Sequence, residues 1–281
     1  MHSQPIITRG TLVATEAKRK YSGRVLLVED NAINQRVARR FLERLGCEVQ
    51  VVGDGAQAIE AFQRGTFGFI LMDMQMPVMD GLEATRQIRE LEAGRVRTPI
   101  VALTANAMMG TLERCLEAGM DDYLTKPLDI SRLEDVLERF MGNPTDRDQK
   151  SQSVAPRVAS ADVSVRARLM EIAGDDVEFI AELIGAFLTG GEDTLVELRA
   201  AVASNDVGAI GRAAHKLKGA AANLHVSGLA DITLELETRA KNGEAGNWNE
   251  GLQRLETEFQ RVTEALRGEM EQMMLEQRAV G

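Results

Sequence analysis

Acidic, hydroxyl and basic side chains follow short apolar runs in the first half of the sequence. They are Glu29 and Asp30 after "RVLLV" (24–28), Asp73 after "GFILM" (68–72), Thr104 after "PIVAL" (99–103) and Lys126 after "DYL" (122–124). Carboxylates that lie together repel one another unless a cation intervenes, and Mg²⁺ binds carboxylates, waters and phosphate oxygens. Beside Mg²⁺ and a lysine, a carboxylate such as Asp73 can attack phosphorus and form an aspartyl phosphate, with Thr104 donating to a phosphate oxygen. Taken singly, each residue is equally compatible with a solvated loop or a helix cap.

One of the three histidines lies in the alanine-rich helical stretch "AAHKLKGAAANL" (213–224). Helical spacing predicts one apolar stripe made of Ile210, Ala214, Leu217, Ala221 and Leu224. His215 lies off that stripe, and its neighbours three and four residues away are Gly211, Arg212, Lys218 and Gly219. Glycine costs about 1 kcal/mol against alanine in a helix, a cost that close approach of another protein's active site would explain. A neutral imidazole is a phosphorus nucleophile near pH 7, but a solvated histidine is the other interpretation of this local pattern.

The elements that must position these residues change in type along the chain. In the first half, the apolar runs and "EVQVV" (48–52) alternate with helical segments, which predicts a parallel sheet with its polar residues at one edge. In the second half, strand patterns are replaced by apolar residues at spacings of three and four. Those segments, from "VEFIAELIGAFL" and "TLVELRAAVA" onward, are separated by short Gly, Asn or Asp breaks and predict an antiparallel bundle.

We therefore predict an α/β doubly wound, five-stranded parallel sheet followed by an all-α antiparallel helical bundle. The expected divisions are an N-terminal connector (1–22), the sheet domain (23–141), a flexible linker rich in Ser, Pro, Asp and Gln (142–161), the bundle (162–268) and a C-terminal tail (269–281). As a flexible coil, the linker would span about 25 Å.

Composition excludes several classes of function. The net charge of −10 argues against a nucleic-acid partner, because binding to phosphates requires a basic surface. We find no apolar run of the roughly 18 residues that a spanning helix needs, and no apolar core of a signal peptide near the start. Cys47 and Cys115 are far apart and fit packing in a reducing compartment. These features predict a cytoplasmic location and no membrane-spanning segment.

Four segments of the first half occur in the order and spacing of a known family. They are "LLVEDNAINQ", "ILMDMQMPVMDG", "VALTAN" and "DDYLTKPLD". Residues 24–140 thus resemble a response-regulator receiver domain, which has a flavodoxin-like fold. The resemblance implies that Asp73 accepts a phosphoryl group and that Mg²⁺ is held by Glu29, Asp30, Asp73 and the backbone carbonyl of Gln75. It also implies that Lys126 binds the phosphate, that Thr104 and Tyr123 form the switch pair, and that the Lys126–Pro127 bond is cis.

The stretch "HKLKGAAANL" resembles the signature of histidine-containing phosphotransfer (HPt) domains, whose helical bundle is similar to residues about 162–268. The resemblance implies that His215 carries the phosphoryl group and that Lys218 supports it. We expect Arg212 and Gly219 to support the same site. The sequence departs from the family at His225, where HPt domains often have glycine, so we expect a left-handed residue at that helix exit.

An aspartate acceptor and a histidine carrier in one chain predict two sequential transfers. Asp73 would receive the phosphoryl group from a sensor histidine kinase, and His215, in cis or in trans, would pass it to a downstream response regulator. The segment "MDMQMPVMDG" resembles receivers fused to hybrid sensor kinases, and "PIITRGTL" resembles the connector that follows the ATP-binding domain of such kinases. We therefore expect the C-terminal part of a hybrid sensor kinase, or a separate protein of that ancestry. The sequence has no Gly-rich ATP-lid pattern, so we expect no autophosphorylation from ATP.

Two other functions remain compatible with the sequence. One is a phosphorylation-independent interaction module with a vestigial pocket. The other is a Mg²⁺-dependent phosphatase that forms an aspartyl phosphate; it would need a second aspartate two residues after Asp73, where this chain has Gln75.

Overall fold

A computed structural model describes residues 21, 23–94, 96–105, 109–142, 164–244 and 247–280. Apart from Tyr21, the predicted connector lies outside the described residues. The same holds for the predicted linker apart from Gly142.

The first half of the chain forms a five-stranded parallel sheet in the order β2-β1-β3-β4-β5. The strands are β1 (Arg24–Val28), β2 (Glu48–Val52), β3 (Phe69–Asp73), β4 (Ile100–Thr104) and β5 (Asp122–Thr125). The helices are α1 (Ala32–Arg44), α2 (Gly55–Arg64), α3 (Gly81–Leu91), α4 (Met109–Ala118) and α5 (Ile130–Met141). This architecture confirms the predicted doubly wound fold.

Strands β3, β4 and β5 each extend one residue further than the apolar runs indicated. Asp73 pairs with Leu103, and Thr104 pairs with Thr125, so both polar residues belong to the ladder. All residues of β3 and β4 are buried, because helices cover both faces of a parallel sheet. The functional side chains are therefore held at the ends of rigid central strands.

The second half is entirely helical in its described residues, which confirms the predicted helical bundle. Its helices are α6 (Val165–Ala173), α7 (Val177–Ala203), α8 (Val207–Asn223), α9 (Ser227–Lys241) and α10 (Trp248–Val280). The apolar stripe predicted for α8 is buried along its whole length. His225 has a φ of 55°, as expected for the left-handed exit from this helix.

Some predicted limits within the bundle differ from the structure. Helix α6 was not among the predicted segments, and α10 continues through most of the predicted tail. No helix of the described ranges is both long enough and apolar enough to cross a membrane.

The break predicted between "VEFIAELIGAFL" and "TLVELRAAVA" is wrong, because α7 is one helix of 27 residues that runs through Gly190 and Gly191. A Cβ atom at Gly191 would lie 2.2 Å from Cε2 of Phe259 in α10. Glycine at this position permits close packing of α7 against α10 and does not end the helix.

We expect Gly191→Ala to lower the free energy of unfolding by about 1–3 kcal/mol, because the added methyl group overlaps the Phe259 ring. Gly190→Ala is the matched control, since no heavy atom lies within 4 Å of its Cβ position. In Gly190→Ala, the free energy of unfolding should rise by up to about 1 kcal/mol, because alanine has a higher helix propensity than glycine. Urea unfolding followed by circular dichroism measures both, and equal effects would contradict this assignment.

Candidate functional site

Three carboxylates meet at the carboxyl edge of the sheet. Glu29 and Asp30 follow β1, Asp73 ends β3, and each offers an oxygen within 4.8 Å of the others. Glu29 and Asp73 are buried, whereas Asp30 is exposed. The strand topology brings these residues together, because the carboxyl ends of parallel strands share one edge of the sheet.

Lys126 lies between two of these carboxylates. Its Nζ donates to Oε2 of Glu29 at 2.6 Å and to Oδ2 of Asp73 at 2.7 Å. Burial by itself lowers the pKa of Lys126, but the two carboxylates outweigh burial and raise this pKa above its ordinary value.

The site retains more negative charge than this one lysine balances. Burial raises the pKa of Glu29 to about 7; Lys126 opposes that shift, and the charge of Asp73 adds to it. Burial, with Asp73 next, also raises the pKa of Asp30. A cluster of oxygen donors with unfavourable mutual repulsion suits a hard divalent cation such as Mg²⁺.

The other predicted residues of the sheet domain surround this cluster. Thr104 is buried at the end of β4, and the backbone N–H of Gln75 donates to Oδ1 of Asp73 at 3.3 Å. Tyr123 lies in β5 beside Ala102, is half-buried, and packs against the apolar core. The half-buried ring is thus carried by the strand adjacent to the one that ends in Thr104.

His215 lies on α8 with its side chain 24% exposed, and its Nδ1 is 2.9 Å from Oε1 of Glu237 in α9. An ionised carboxylate only accepts hydrogen bonds, so this contact assigns the ring proton to Nδ1. The lone pair of Nε2 is then available as a nucleophile.

Glu237 is a neighbour of His215 that the sequence analysis did not single out. Its side chain is 2% exposed and also forms ion pairs with Lys218 and Lys241. Burial by itself raises the pKa of Glu237, but hydrogen bonds from His215 and the two lysines lower it below its ordinary value. In the sequence, the available signal was that Glu237, an ionisable residue, directly follows Leu236. Both residues lie on the face of α9 that is buried in the structure.

The two chemical groups share one cavity of about 200 Å³ between the sheet domain and the bundle. The sheet domain contributes Glu29, Asp30, Asp73 and Lys126, and the bundle contributes His215, Lys218 and Gly219. The structure thus brings the aspartate and the histidine to one space.

Two of the residues predicted to surround His215 face elsewhere. Arg212 is not among the residues that line the cavity, because helical side chains lean toward the N-terminus and its Nη1 lies near the Cβ position of Gly208. A Cβ at Gly211 would lie 3.1 Å from that of Ala240, so this glycine accommodates α9. Gly219 lines the cavity, and its Cβ position is 3.2 Å from Nδ2 of Asn34 in α1.

Comparisons with known proteins agree with this division of the chain. Among curated relatives, it is 36% identical over 227 residues to Sensor protein GacS of Pseudomonas syringae pv. syringae, covering 78% of this chain and 24% of that protein. It is 29% identical over 245 residues to Aerobic respiration control sensor protein ArcB of Escherichia coli (strain K12), covering 86% of this chain and 31% of that protein. The chain therefore spans about a quarter to a third of the length of these relatives.

A similar solved structure is the receiver domain of sensor histidine kinase PA1611 from Pseudomonas aeruginosa PAO1, crystallised with a magnesium ion in its active-site cleft. The identity is 50%, the match covers 43% of this chain and 98% of that one, and the TM-score is 0.40. Residues 25–138 match the family model of the response regulator receiver domain, and residues 182–265 match that of the Hpt domain. The chain thus joins a response regulator receiver domain to an HPt domain, the pairing found in proteins of two-component phosphorelays.

Proposed function

We propose that Asp73 accepts a phosphoryl group and that His215 receives it from Asp73 within the docked chain. The observation that carries this proposal is the cavity lined by both residues. A sensor histidine kinase, acting in cis or in trans, would be the donor, and a downstream response regulator would be the acceptor. We place these reactions in the cytoplasm, in keeping with two buried cysteines that form no disulfide.

In the first transfer, an oxygen of Asp73 attacks phosphorus and the bond between phosphorus and the donor breaks. Lys126, already bound to Asp73, is placed to balance charge on the phosphoryl oxygens, and Thr104 to donate its hydroxyl. Glu29, Asp30, Asp73 and the carbonyl of Gln75 would hold Mg²⁺, which neutralises phosphate charge when bound. We assign Thr104 and Tyr123 to the switch that follows phosphorylation.

In the second transfer, Nε2 of His215 attacks the phosphorus of phosphorylated Asp73. A P–N bond forms, the P–O bond breaks, and Asp73 leaves as a carboxylate. The proton on Nδ1 stays on the ring, so the phosphorylated imidazole carries a positive charge. The buried carboxylate of Glu237, 2.9 Å from Nδ1, balances that charge.

Incubation with radiolabelled acetyl phosphate and Mg²⁺ tests the proposal. Label on Asp73 is an acyl phosphate and is lost in base, whereas label on His215 survives base and is lost in acid. We expect base-labile label first and base-stable label afterwards. Base-stable label that forms without any base-labile precursor would contradict the order of the transfers.

Removing the metal is expected to reduce labelling of Asp73 by about 100-fold or more, because three carboxylates then face the incoming phosphate. Initial rates of labelling with EDTA, and with Mg²⁺ added in excess of EDTA, measure the effect. Recovery by excess Mg²⁺ separates metal removal from irreversible damage. Equal rates with and without EDTA would rule out a metal at this site.

A further inference from the structure

The interface between the two domains contains one buried basic side chain, Arg168 of α6. It is 2% exposed and is the only basic residue among the buried residues of the described chain. A buried guanidinium is costly unless its N–H groups find acceptors. The acceptors of Arg168 therefore indicate what its burial accomplishes.

Arg168 connects the loop that carries Lys126 to the helix that carries His215. Its Nη2 donates to the backbone carbonyl of Leu128 at 2.8 Å, and its Nε donates to the backbone carbonyl of Asn223 at 2.9 Å. Leu128 is two residues after Lys126, and Asn223 is the last residue of α8. The last carbonyls of a helix lack partners within it, so a cation at this position also complements the helix dipole.

Two further contacts fix the orientation of the guanidinium. Nη1 of Arg168 donates to Glu171 at 2.7 Å, and its plane lies over Phe41 of α1 with 5.6 Å between Cζ and the ring centroid. The side chain thus contacts the receiver both at α1 and at the loop between β5 and α5. Donation from three nitrogens of one plane to three separate acceptors requires the guanidinium group of arginine.

Arg36, Arg40 and Arg44 of α1 also contact the bundle, at α6 and at the start of α7. Neutral amides then align α1 with α8. Nδ2 of Asn31 donates to the carbonyl of Lys216 at 3.0 Å, and Nδ2 of Asn223 donates to Oδ1 of Asn34 at 2.7 Å. Asn34 in turn donates to Glu29 of the acidic cluster at 2.8 Å. These contacts set the face of α8 that meets the receiver, whereas Arg168 ties the end of α8 to the loop beside Lys126.

We propose that Arg168 is a positioning residue for phosphoryl transfer from Asp73 to His215 within one chain. This inference rests on the proposed function. Arg168 contacts neither reacting group. It fixes the position of the loop beside Lys126 relative to the C-terminal end of α8. Transfer depends steeply on such placement, since a misplacement of about 1 Å lowers a rate by about 100-fold.

The test uses the full chain labelled on Asp73 with radiolabelled acetyl phosphate and Mg²⁺. The rate at which base-labile label becomes base-stable is measured at several protein concentrations. In the wild type we expect this rate to be independent of concentration, as for transfer within one chain. In Arg168→Met we expect it to fall by about 100-fold, while the initial labelling of Asp73 is retained.

Arg166→Met is the matched control on the same helix. Arg166 pairs with Glu269 and Glu276 of α10 and makes none of the described contacts with the receiver. This variant should transfer at the wild-type rate. A second readout labels His215 directly with phosphoramidate in the Asp73→Ala background, and Arg168→Met should leave that reaction undiminished.

The outcomes separate this inference from the proposed function. Failure of wild-type label to reach His215 would refute the proposed function itself. Wild-type transfer with an unchanged rate in Arg168→Met would refute only the role of Arg168. Equal losses of transfer and of direct His215 labelling would reduce Arg168 to a structural residue. If circular dichroism shows Arg168→Met unfolded, Arg168→Lys decides by the same criteria. One ammonium group cannot reproduce donation to the carbonyls of both Leu128 and Asn223 in the guanidinium geometry, so an intermediate rate is expected.

Discussion

In the His215→Gln variant, radiolabel from acetyl phosphate is expected to remain on Asp73, and base-stable label is expected to be absent. Glutamine retains a polar side chain that can donate to Glu237, but its amide nitrogen has no lone pair available to attack phosphorus. The acidic cluster and Lys126 are unchanged, so Asp73 should be labelled at its usual rate. Quenching in base and in acid at successive times measures both species.

The reciprocal variant, Asp73→Ala, is expected to take no label at either residue from acetyl phosphate. His225→Asn is the matched control for His215→Gln. His225 is half-buried at the end of α8, and asparagine tolerates its φ of 55°. The control should behave as the wild type. Label that passes from acetyl phosphate to His215 in Asp73→Ala would overturn the relay. Downstream signalling that is unaffected by both His215→Gln and Asp73→Ala would favour the interaction module.

Glu237→Gln is expected to slow transfer to His215 by about 10- to 100-fold, an effect similar in size to loss of a carboxylate that orients a metal-bound histidine. The variant loses the negative charge that balances the phosphorylated imidazole, and its neutral amide oxygen is a weaker acceptor for the Nδ1 proton than the carboxylate. The rate at which base-labile label becomes base-stable measures the effect. Labelling of Asp73 should be unaffected.

Glu235→Gln on the same helix is the control. Glu235 is half-buried and pairs with Arg254 and Arg239, and it makes none of the described contacts with His215. Its transfer rate should match that of the wild type. Equal rates in the two variants would exclude a special role for Glu237.

Glu237→Gln should also change how the stability of the folded protein depends on pH. Hydrogen bonds lower the pKa of Glu237 in the folded state, although burial opposes them, so its contribution is fully present above the ordinary value of 4.5. That contribution is lost as pH falls toward the lowered pKa of the folded state. Between about pH 5 and pH 3, the wild type should therefore lose more stability than Glu237→Gln. Thermal unfolding of both proteins across this range measures the difference, and parallel losses would contradict the assigned hydrogen bonds.

Much of the acidic site could be predicted from the sequence. Short apolar runs that alternate with helical segments specify a parallel sheet, and that topology brings the carboxyl ends of its central strands to one edge. Asp73 and Lys126 were therefore expected to meet, and Nζ of Lys126 lies 2.7 Å from Oδ2 of Asp73. The buried stripe of α8 was predictable for a similar reason, since the period of the helix assigns each residue to a face.

Contacts between helices were decided by the tertiary structure. The sequence indicated that His215 lies off the apolar stripe, but not that Glu237 would meet it from α9. It also indicated a break near Gly191, where the structure has close packing against Phe259. Such contacts depend on how far one helix is shifted and rotated against another, which the periodicity of either helix alone does not specify. The docking of the receiver on the bundle through Arg168 is the largest example, because its acceptors are backbone carbonyls that leave no signal in the amino-acid sequence.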